Sequence, residues 1–478
     1  IIISSVIGTG VFSGNGEALS TAGPLGLIIT VMVLGLIAVC VGETVSELVQ
    51  VWAVPNAVYE YIYAFVDKDL AAVIALLYWY SFSSAFAVQM LGAANLLTYW
   101  LPDNTWPPFV FYGVVPWVLV AVNMLGVRIY GWIETVFGFL KVVLLFSVTC
   151  LLYYISNKAI TDGLQYNPNT TLSKAHAFFQ AIPSVAYSYI GIETAVIAAF
   201  EAKTSRSMAV PSRISHWYIF LSYFLCTLGI ALTVRWDNPH LRRALGDLQE
   251  PRSNSAVIIA IFADGQASLA GFVNGCLIMS LVSAANTSLY ISSRTLYGLV
   301  VTLNGSNFVS RWLKGFGLIW RTTGVPTRSL FFTMVAFYWL PWLNQLQSIT
   351  VDSVLKTLSL TASMATILVW AGLCLAFHRY ELWSVSTYND LRKFVRGTLA
   401  YENCEDRMVW NVGMSFQPWL ARLGFLGCIL VLVSASATWW SVQATVLNVA
   451  SAYAPVSLHG FGYVRMVLTR TAIAHRSL

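Results

Sequence analysis

Ile7-Gly8-Thr9-Gly10-Val11-Phe12 lies inside the apolar segment that opens the chain, and Gly8, Gly10 and Gly14 fall within seven residues of one another. Glycine weakens a helix and admits backbone conformations closed to other residues. In water such a cluster marks a turn. In a membrane-spanning helix it frees N–H and C=O groups at depth, and those groups must be buried in protein or used on a ligand. Close helix packing through small residues is the other reading of a Gly-x-Gly step. The surrounding chain decides between them.

That surrounding chain is built for lipid. Of 478 residues, 57% are hydrophobic and 10% charged, against about 25% charged in an average soluble domain. Eighteen Trp, 23 Tyr and 26 Phe suit interfacial belts and an apolar lining. The net charge of +6 comes from basic residues scattered through loops, not from a charged face, so no nucleic-acid partner is expected. Most of the cysteines sit in apolar runs, with no Cys-x-x-Cys or His/Cys ligand spacing, so neither a metal nor a cofactor is expected. No cleavable signal is visible, the first residues being helix already.

Counting about 20 predominantly apolar residues per span, the sequence predicts twelve transmembrane helices and an all-α integral membrane protein. They run over 1–20, 24–45, 70–99, 108–127, 134–156, 177–200, 214–234, 267–299, 329–346, 357–377, 415–435 and 438–458. With the N-terminus inside, cytoplasmic segments hold seventeen Lys and Arg and outer segments seven, so both termini are expected in the cytoplasm. Asn169-Thr170-Thr171, a glycosylation sequon, then falls in an outer loop.

Helix six supplies a second interruption. Ser188-Tyr189-Ile190-Gly191-Ile192-Glu193 puts a glycine and a carboxylate into an apolar run downstream of Pro183. Gly8 and Gly191 correspond if helices one to five, over 1–156, are repeated as helices six to ten, over 177–377. An odd number of helices per repeat forces inversion. The chain is then a five-plus-five inverted-repeat core, with helices eleven and twelve over 415–458 and a cytoplasmic tail over 459–478. Paired broken helices in matching positions point to a binding site at the midplane, hence to a transporter and not an enzyme.

Intramembrane polar groups mark the candidate site. Lys141 lies among apolar residues of helix five, either as a group that loses and regains a proton or as a tie to carbonyls of broken helix one. Glu193 either takes a substrate ammonium or a proton, or caps N–H groups freed by the break. Gln89 in helix three and the polar run containing Ser280, Ser283 and Asn286 in helix eight must face protein or a water-filled path. Tyr187 and Tyr189 are placed to close the site from above. Glu201 beside Lys203 and Arg206 reads as an inner gate or interfacial ion pair, and Glu43 with Glu47 as members of another inner pair. N–H groups at the start of the second half of helix one carry a positive half-helix dipole, suited to a carboxylate. Carbonyls at the helix-six break suit an ammonium. A zwitterion such as an α-amino acid satisfies both.

These residues bring the chain close to a known family. Gly8-Thr9-Gly10-Val11-Phe12-Ser13-Gly14-Asn15-Gly16 followed by Ala22-Gly23-Pro24, Tyr130-Gly131 through Glu134 and Lys141, Ser188 to Glu193 with Glu201-Ala202, Ser283 to Tyr290 with Ser292-Ser293-Arg294, and Gly324-Val325-Pro326 occur in order. Together they resemble the fungal amino-acid permeases, the yeast amino acid transporter branch of the amino acid–polyamine–organocation superfamily. The resemblance implies a plasma-membrane proton symporter working by alternating access. By position, the Ile7–Gly10 backbone would hold the substrate carboxylate, Tyr189, Gly191 and Glu193 would form the helix-six side, and Lys141 would couple protonation to opening. The chain departs from the family at Ser4-Ser5, where a glycine pair is usual, at Gln89 in place of a glutamate, at Trp132 and at Ile192. Loss of the helix-three carboxylate favours neutral or broad substrates. A carnitine or polyamine permease and a non-transporting nutrient sensor are the alternatives.

Overall fold

The computed structural model describes residues 2–8, 10–101, 109–156, 174–201, 205–238, 241, 255–302, 308–320, 322–343, 349–394 and 416–434. Predicted helix twelve, the 459–478 tail, the Asn169 sequon, Thr9 and Lys203 lie outside them, as do the side chains of Glu201 and Arg206.

The chain begins with α1 (Ile2–Val6), breaks, resumes as a π-turn over Gly10–Gly14 and continues as α2 (Asn15–Val51). Within α2, Gly23 has φ 74° and ψ 177° immediately before Pro24. No L residue with a side chain adopts that conformation cheaply, and proline removes the next N–H donor. The predicted boundary between helices one and two therefore falls at this joint. Then follow α3 (Ala57–Phe65), α4 (Lys68–Leu97), α5 (Val115–Met124) behind a π-turn over Phe109–Val114, and α6 (Val127–Ser156). The second half has α7 (Lys174–Ser188), a 3-10 turn over Ile192–Thr194, α8 (Ala195–Glu201), α9 (Ser205–Thr233), α10 (Ala256–Ala263) and α11 (Ala267–Val301). After these come α12 (Phe308–Lys314), α13 (Thr327–Tyr338), α14 (Leu340–Leu343), α15 (Ile349–Phe394) and α16 (Trp419–Ser434).

No strand occurs among the described residues. Seven of their helices are long and apolar enough to cross a bilayer, with two shorter apolar helices at Phe109–Met124 and Trp419–Ser434. The protein is a multi-pass membrane protein. Some predicted bounds shift. Helix five begins at Val127, not 134, because Glu134 is held inside the bundle and does not end the helix. Lys141 is thus fourteen residues in, about 21 Å along the axis at 1.5 Å per residue. Predicted helix nine divides at Trp339 into α13 and α14, next to Pro341, and predicted helix ten is the middle of the longer α15.

The packing follows from where polarity sits. α6 turns Trp132, Phe139 and Phe146 outward, each about two-thirds exposed, and turns Glu134, Lys141, Leu145 and Leu152 inward. Such a helix puts its apolar face into lipid and its ionisable face into the bundle. α4 packs along α11, α2 lies between α7 and α9, and α15 joins α4 to α16. Asp67 starts α4 by accepting hydrogen bonds from the N–H groups of Asp69 at 2.8 Å and Leu70 at 3.1 Å. These contacts hold α1 and the Ile192–Thr194 turn against each other at the centre.

Candidate functional site

A broken helix exposes carbonyls that lipid cannot satisfy, and here four of them accept from donors in different parts of the bundle. The Ser4 carbonyl accepts from Lys141 Nζ of α6 at 2.7 Å. The Val6 carbonyl accepts from the Tyr223 hydroxyl of α9 at 2.8 Å, and the Ile7 carbonyl from Ser280 of α11 at 3.3 Å. Beyond the break, Ser255 at the start of α10 donates to the Phe12 carbonyl at 2.9 Å. Four side chains therefore pin the interruption from four sides.

The helix-six break is closed in the same way. Gly191 has φ 109°, the conformation that stops α7 and lets the chain restart. Its carbonyl accepts from Thr194 Oγ1 at 2.6 Å and from Ser5 Oγ at 3.2 Å. Its N–H donates to Glu193 Oε2 at 3.2 Å, and that oxygen also accepts from Trp370 Nε1 of α15 at 2.8 Å. Glu193 thus caps the freed backbone, one of its two expected roles. Ser5 and Gly191 join the two breaks directly.

The glycines set how closely the halves approach. A Cβ on Gly10 would overlap the Ser188 Cα and lie 2.7 Å from Ser188 Oγ. One on Gly14 would lie 2.9 Å from the Ser184 carbonyl oxygen, and one on Gly8 3.3 Å from Ala284 Cβ. Gly10, read from sequence as part of a carboxylate-binding backbone, is in this conformation also a contact glycine between the π-turn and α7. The leading N–H groups of that turn lack acceptors within their own helix.

Beside α1 lies a buried polar network. The Ser4 hydroxyl donates to Glu134 Oε2 at 2.6 Å and lies 3.3 Å from Lys141 Nζ, so one serine touches both charged groups of α6. Glu134 also accepts from Ser283 Oγ at 3.3 Å and from Asn286 Nδ2 at 2.9 Å. Asn286 Oδ1 in turn accepts from Asn123 of α5 at 2.8 Å. Glu134 and Lys141 are fully buried. An ammonium and a carboxylate joined through a hydroxyl can pass a proton without moving backbone. Below Glu134, the Tyr130 and Tyr290 rings stack with centroids 3.9 Å apart, and the Arg294 guanidinium sits 4.4 Å from the Tyr290 centroid.

Of the sequence candidates, Ile7, Gly8, Gly10, Gly191, Glu193, Lys141, Ser283 and Asn286 gather about the two breaks and this network. Gln89, buried in α4, accepts from Ser288 Oγ at 3.1 Å, and its Nε2 lies 3.9 Å from where a Gly8 Cβ would be. Tyr189 instead donates its hydroxyl to the Val31 carbonyl of α2 at 3.1 Å and tilts against Tyr223, which makes it a brace there. Glu43 pairs with α9, whereas Glu47 Oε1, one turn on, is buried without a hydrogen-bond partner. Trp132 points outward, so that departure from the family lies away from the breaks.

Glu134 and Ser4 join the network although neither stands out in the sequence as a functional group. The signal for Glu134 was present: seven residues before Lys141 it lies two turns away on the same face. Ser4 and Ser5 were visible as departures from the family, and their hydroxyls occupy the junction of helix one, helix six and α6. Trp370 and Tyr223 carried no signal, since each is an ordinary aromatic in an apolar run.

Residues 1–389 match the family model described as amino acid permease. The lysine-specific permease LysP of Escherichia coli is 26% identical over 406 residues, covering 82% of this chain and 78% of that protein. The general amino-acid permease GAP2 of Candida albicans is 30% identical over 315 residues, or 63% of this chain and 52% of that one. The lysine/arginine permease CAN1 of Candida albicans is 25% identical over 465 residues, 93% and 75% of the two chains. The chain spans about half the length of several curated relatives it matches. Among solved structures, a manganese transporter of Eremococcus coleocola superposes with TM-score 0.53 at 14% identity, over 97% of this chain and 92% of that one.

Proposed function

The chain belongs to the amino acid permease family, and from that premise we propose that it carries amino acids across the plasma membrane by proton-coupled symport, through alternating access. The observation that carries this reading is the meeting of two broken helices at Ser5 and Gly191, next to Lys141 held on the Ser4 carbonyl. When the Gly10–Ser188 contact opens, the leading N–H groups of the π-turn present the positive end of a half-helix to a carboxylate. The chain end at α7 offers carbonyls to an ammonium. The Lys/Arg distribution supports cytoplasmic termini.

Coupling runs through Ser4. Lys141 gives a proton to the Ser4 hydroxyl as that hydroxyl gives its own to Glu134, and both charged groups become neutral. A hydrogen bond from a charged donor is roughly twice as strong as one from a neutral donor. Neutral Lys141 therefore holds the Ser4 carbonyl less firmly, and the helix-one break is freer to move. Glu134 then releases that proton to one side of the membrane and Lys141 takes one from the other, so that the passage of one proton is transmitted to the element that binds substrate.

The test is the purified full chain in proteoliposomes, assayed with a panel of neutral, cationic and acidic amino acids, carnitine and a polyamine, with and without an imposed proton gradient. Gradient-driven accumulation of amino acids is expected. Binding without uptake would identify a sensor, and uptake indifferent to the gradient would remove the proton from the cycle.

Gln89 sets the substrate range in this reading, because a neutral amide beside Gly8 offers no counter-charge to a cationic side chain. Gln89→Glu is expected to raise lysine uptake relative to leucine by about tenfold, or about 1.4 kcal/mol. An unchanged ratio in the same vesicles would take Gln89 out of selectivity.

A further inference from the structure

The chain that leads from α11 into α13 carries charge of one sign. From Gly265 to Val351 the sequence contains no Asp or Glu, yet it holds Arg294, Arg311, Lys314, Arg321 and Arg328. Four of these five fall between residues 311 and 328. Among the described residues of that stretch, Arg311, Lys314 and Arg328 are exposed. Arg311 and Lys314 stand three apart on α12, hence on one face. The apolar side chains beside them are exposed as well: Trp312 is 55% exposed, Leu318 52% and Trp320 54%. Apolar surface next to cations calls for a partner that is oily in one part and anionic in another.

This surface is held in place by α13. Phe316 packs on Phe332 with ring centroids 4.7 Å apart, and Ser329 Oγ donates to the Phe316 carbonyl at 2.9 Å. Arg328 Nη1 donates to the Gly315 carbonyl at 3.2 Å. The Gly324 N–H donates to the Trp320 carbonyl at 2.8 Å, in a turn that Gly324 permits at φ 68°.

α13 also indicates what covers it. Phe331, Val335 and Trp339 are all exposed, and their spacing of four puts them on one face of the helix. In a multi-pass membrane protein such a face meets acyl chains. Arg328 lies three residues before Phe331, at the end of the same stripe. It stands where acyl chains give way to headgroups, the depth that suits tryptophan and long cationic side chains.

We propose that Arg311, Lys314 and Arg328 hold the phosphate of an anionic phospholipid, with Trp312 and Trp320 against its upper acyl segments. The occupant is a lipid of the leaflet in which α13 begins, because the lipid-facing stripe of α13 runs into the site. Charge complementarity sets its class: three exposed cations, with no acid in this stretch of sequence, favour a net-negative headgroup over a zwitterionic one. The site rests on the membrane fold and not on the transport reading.

The experiment uses the full chain in phosphatidylcholine nanodiscs that contain a small, equal fraction of photoreactive phosphatidylserine or photoreactive phosphatidylcholine. Each probe carries a diazirine near the headgroup end of one acyl chain, and labelled peptides are read by mass spectrometry. Peptides within 311–328 are expected to take phosphatidylserine over phosphatidylcholine by about fivefold or more, the factor that one cation at an anionic surface confers. Arg311→Gln with Lys314→Gln leaves the tie from Arg328 to Gly315 in place and should lose most of that preference. Labelling of the outward face of α6 should stay as it was, which shows that the variant is inserted. Adding Arg328→Gln should remove the rest. Equal labelling of 311–328 by the two lipids, or a preference unchanged by the double substitution, overturns the site. Chain-to-chain cross-links through 311–320 in place of lipid labelling would give the surface to a second copy and overturn it as well.

Discussion

Gly10→Val is expected to abolish uptake while the protein still inserts in the membrane, and Gly10→Ala to reduce uptake more than tenfold. The added carbon at Gly10 overlaps the Ser188 backbone, and a main-chain neighbour cannot turn aside as a flexible side chain does. Overpacking of this kind costs about 1–3 kcal/mol when side chains can adjust. Here the π-turn and α7 must separate, which breaks the register of Ser5 with Gly191. Gly131→Ala is the control, since nothing lies within 4 Å of a Cβ there. Vesicle uptake, with membrane insertion checked by fractionation, reads the result. Wild-type uptake by Gly10→Val would mean that the two broken helices need not touch during the cycle.

Lys141→Met is expected to abolish gradient-driven accumulation and also to destabilise the protein. Removing the ammonium leaves Glu134 buried among neutral donors, and an uncompensated buried charge costs about 3–5 kcal/mol. Lys141→Met with Glu134→Gln should recover most of the thermal stability, because neither charge is then left alone, yet accumulation should stay absent. Ser4→Ala separates relay from charge: both ions remain, the bridging hydroxyl is gone, and accumulation should fall more than binding. Melting temperature in detergent, equilibrium binding and vesicle accumulation distinguish the three. Full accumulation by Lys141→Met would exclude that lysine from coupling.

Both predictions rest on residues whose part in the site was unequally legible. The two interruptions were readable because glycine and proline act on the backbone locally, whatever surrounds them. Gly8–Gly10 and Gly191 fall where α1 ends and where α7 ends. Lys141 was readable because a charge in an apolar run has few destinations. Its partner is less so: a carboxylate ordinarily ends an apolar span, and the sequence therefore puts Glu134 at the edge of helix five. The structure keeps it inside by supplying Ser4, Ser283 and Asn286 as donors. Those donors come from segments more than one hundred residues apart in the chain, a juxtaposition no local pattern encodes. Tyr189 shows the reverse case. Position along the helix places it over the site, and in this structure its hydroxyl donates to the Val31 carbonyl of α2.

Residue order was enough to establish a membrane protein with two paired helix interruptions and an ionisable group between them. Apolar length, missing charge and backbone-breaking residues are properties of short stretches and survive any arrangement of the helices. Folding chose the partners: Ser4 between Lys141 and Glu134, and Ser5 on Gly191. Each of these is a contact of about 3 Å between helices distant in sequence, and hydrogen bonds at that range depend on how whole helices pack.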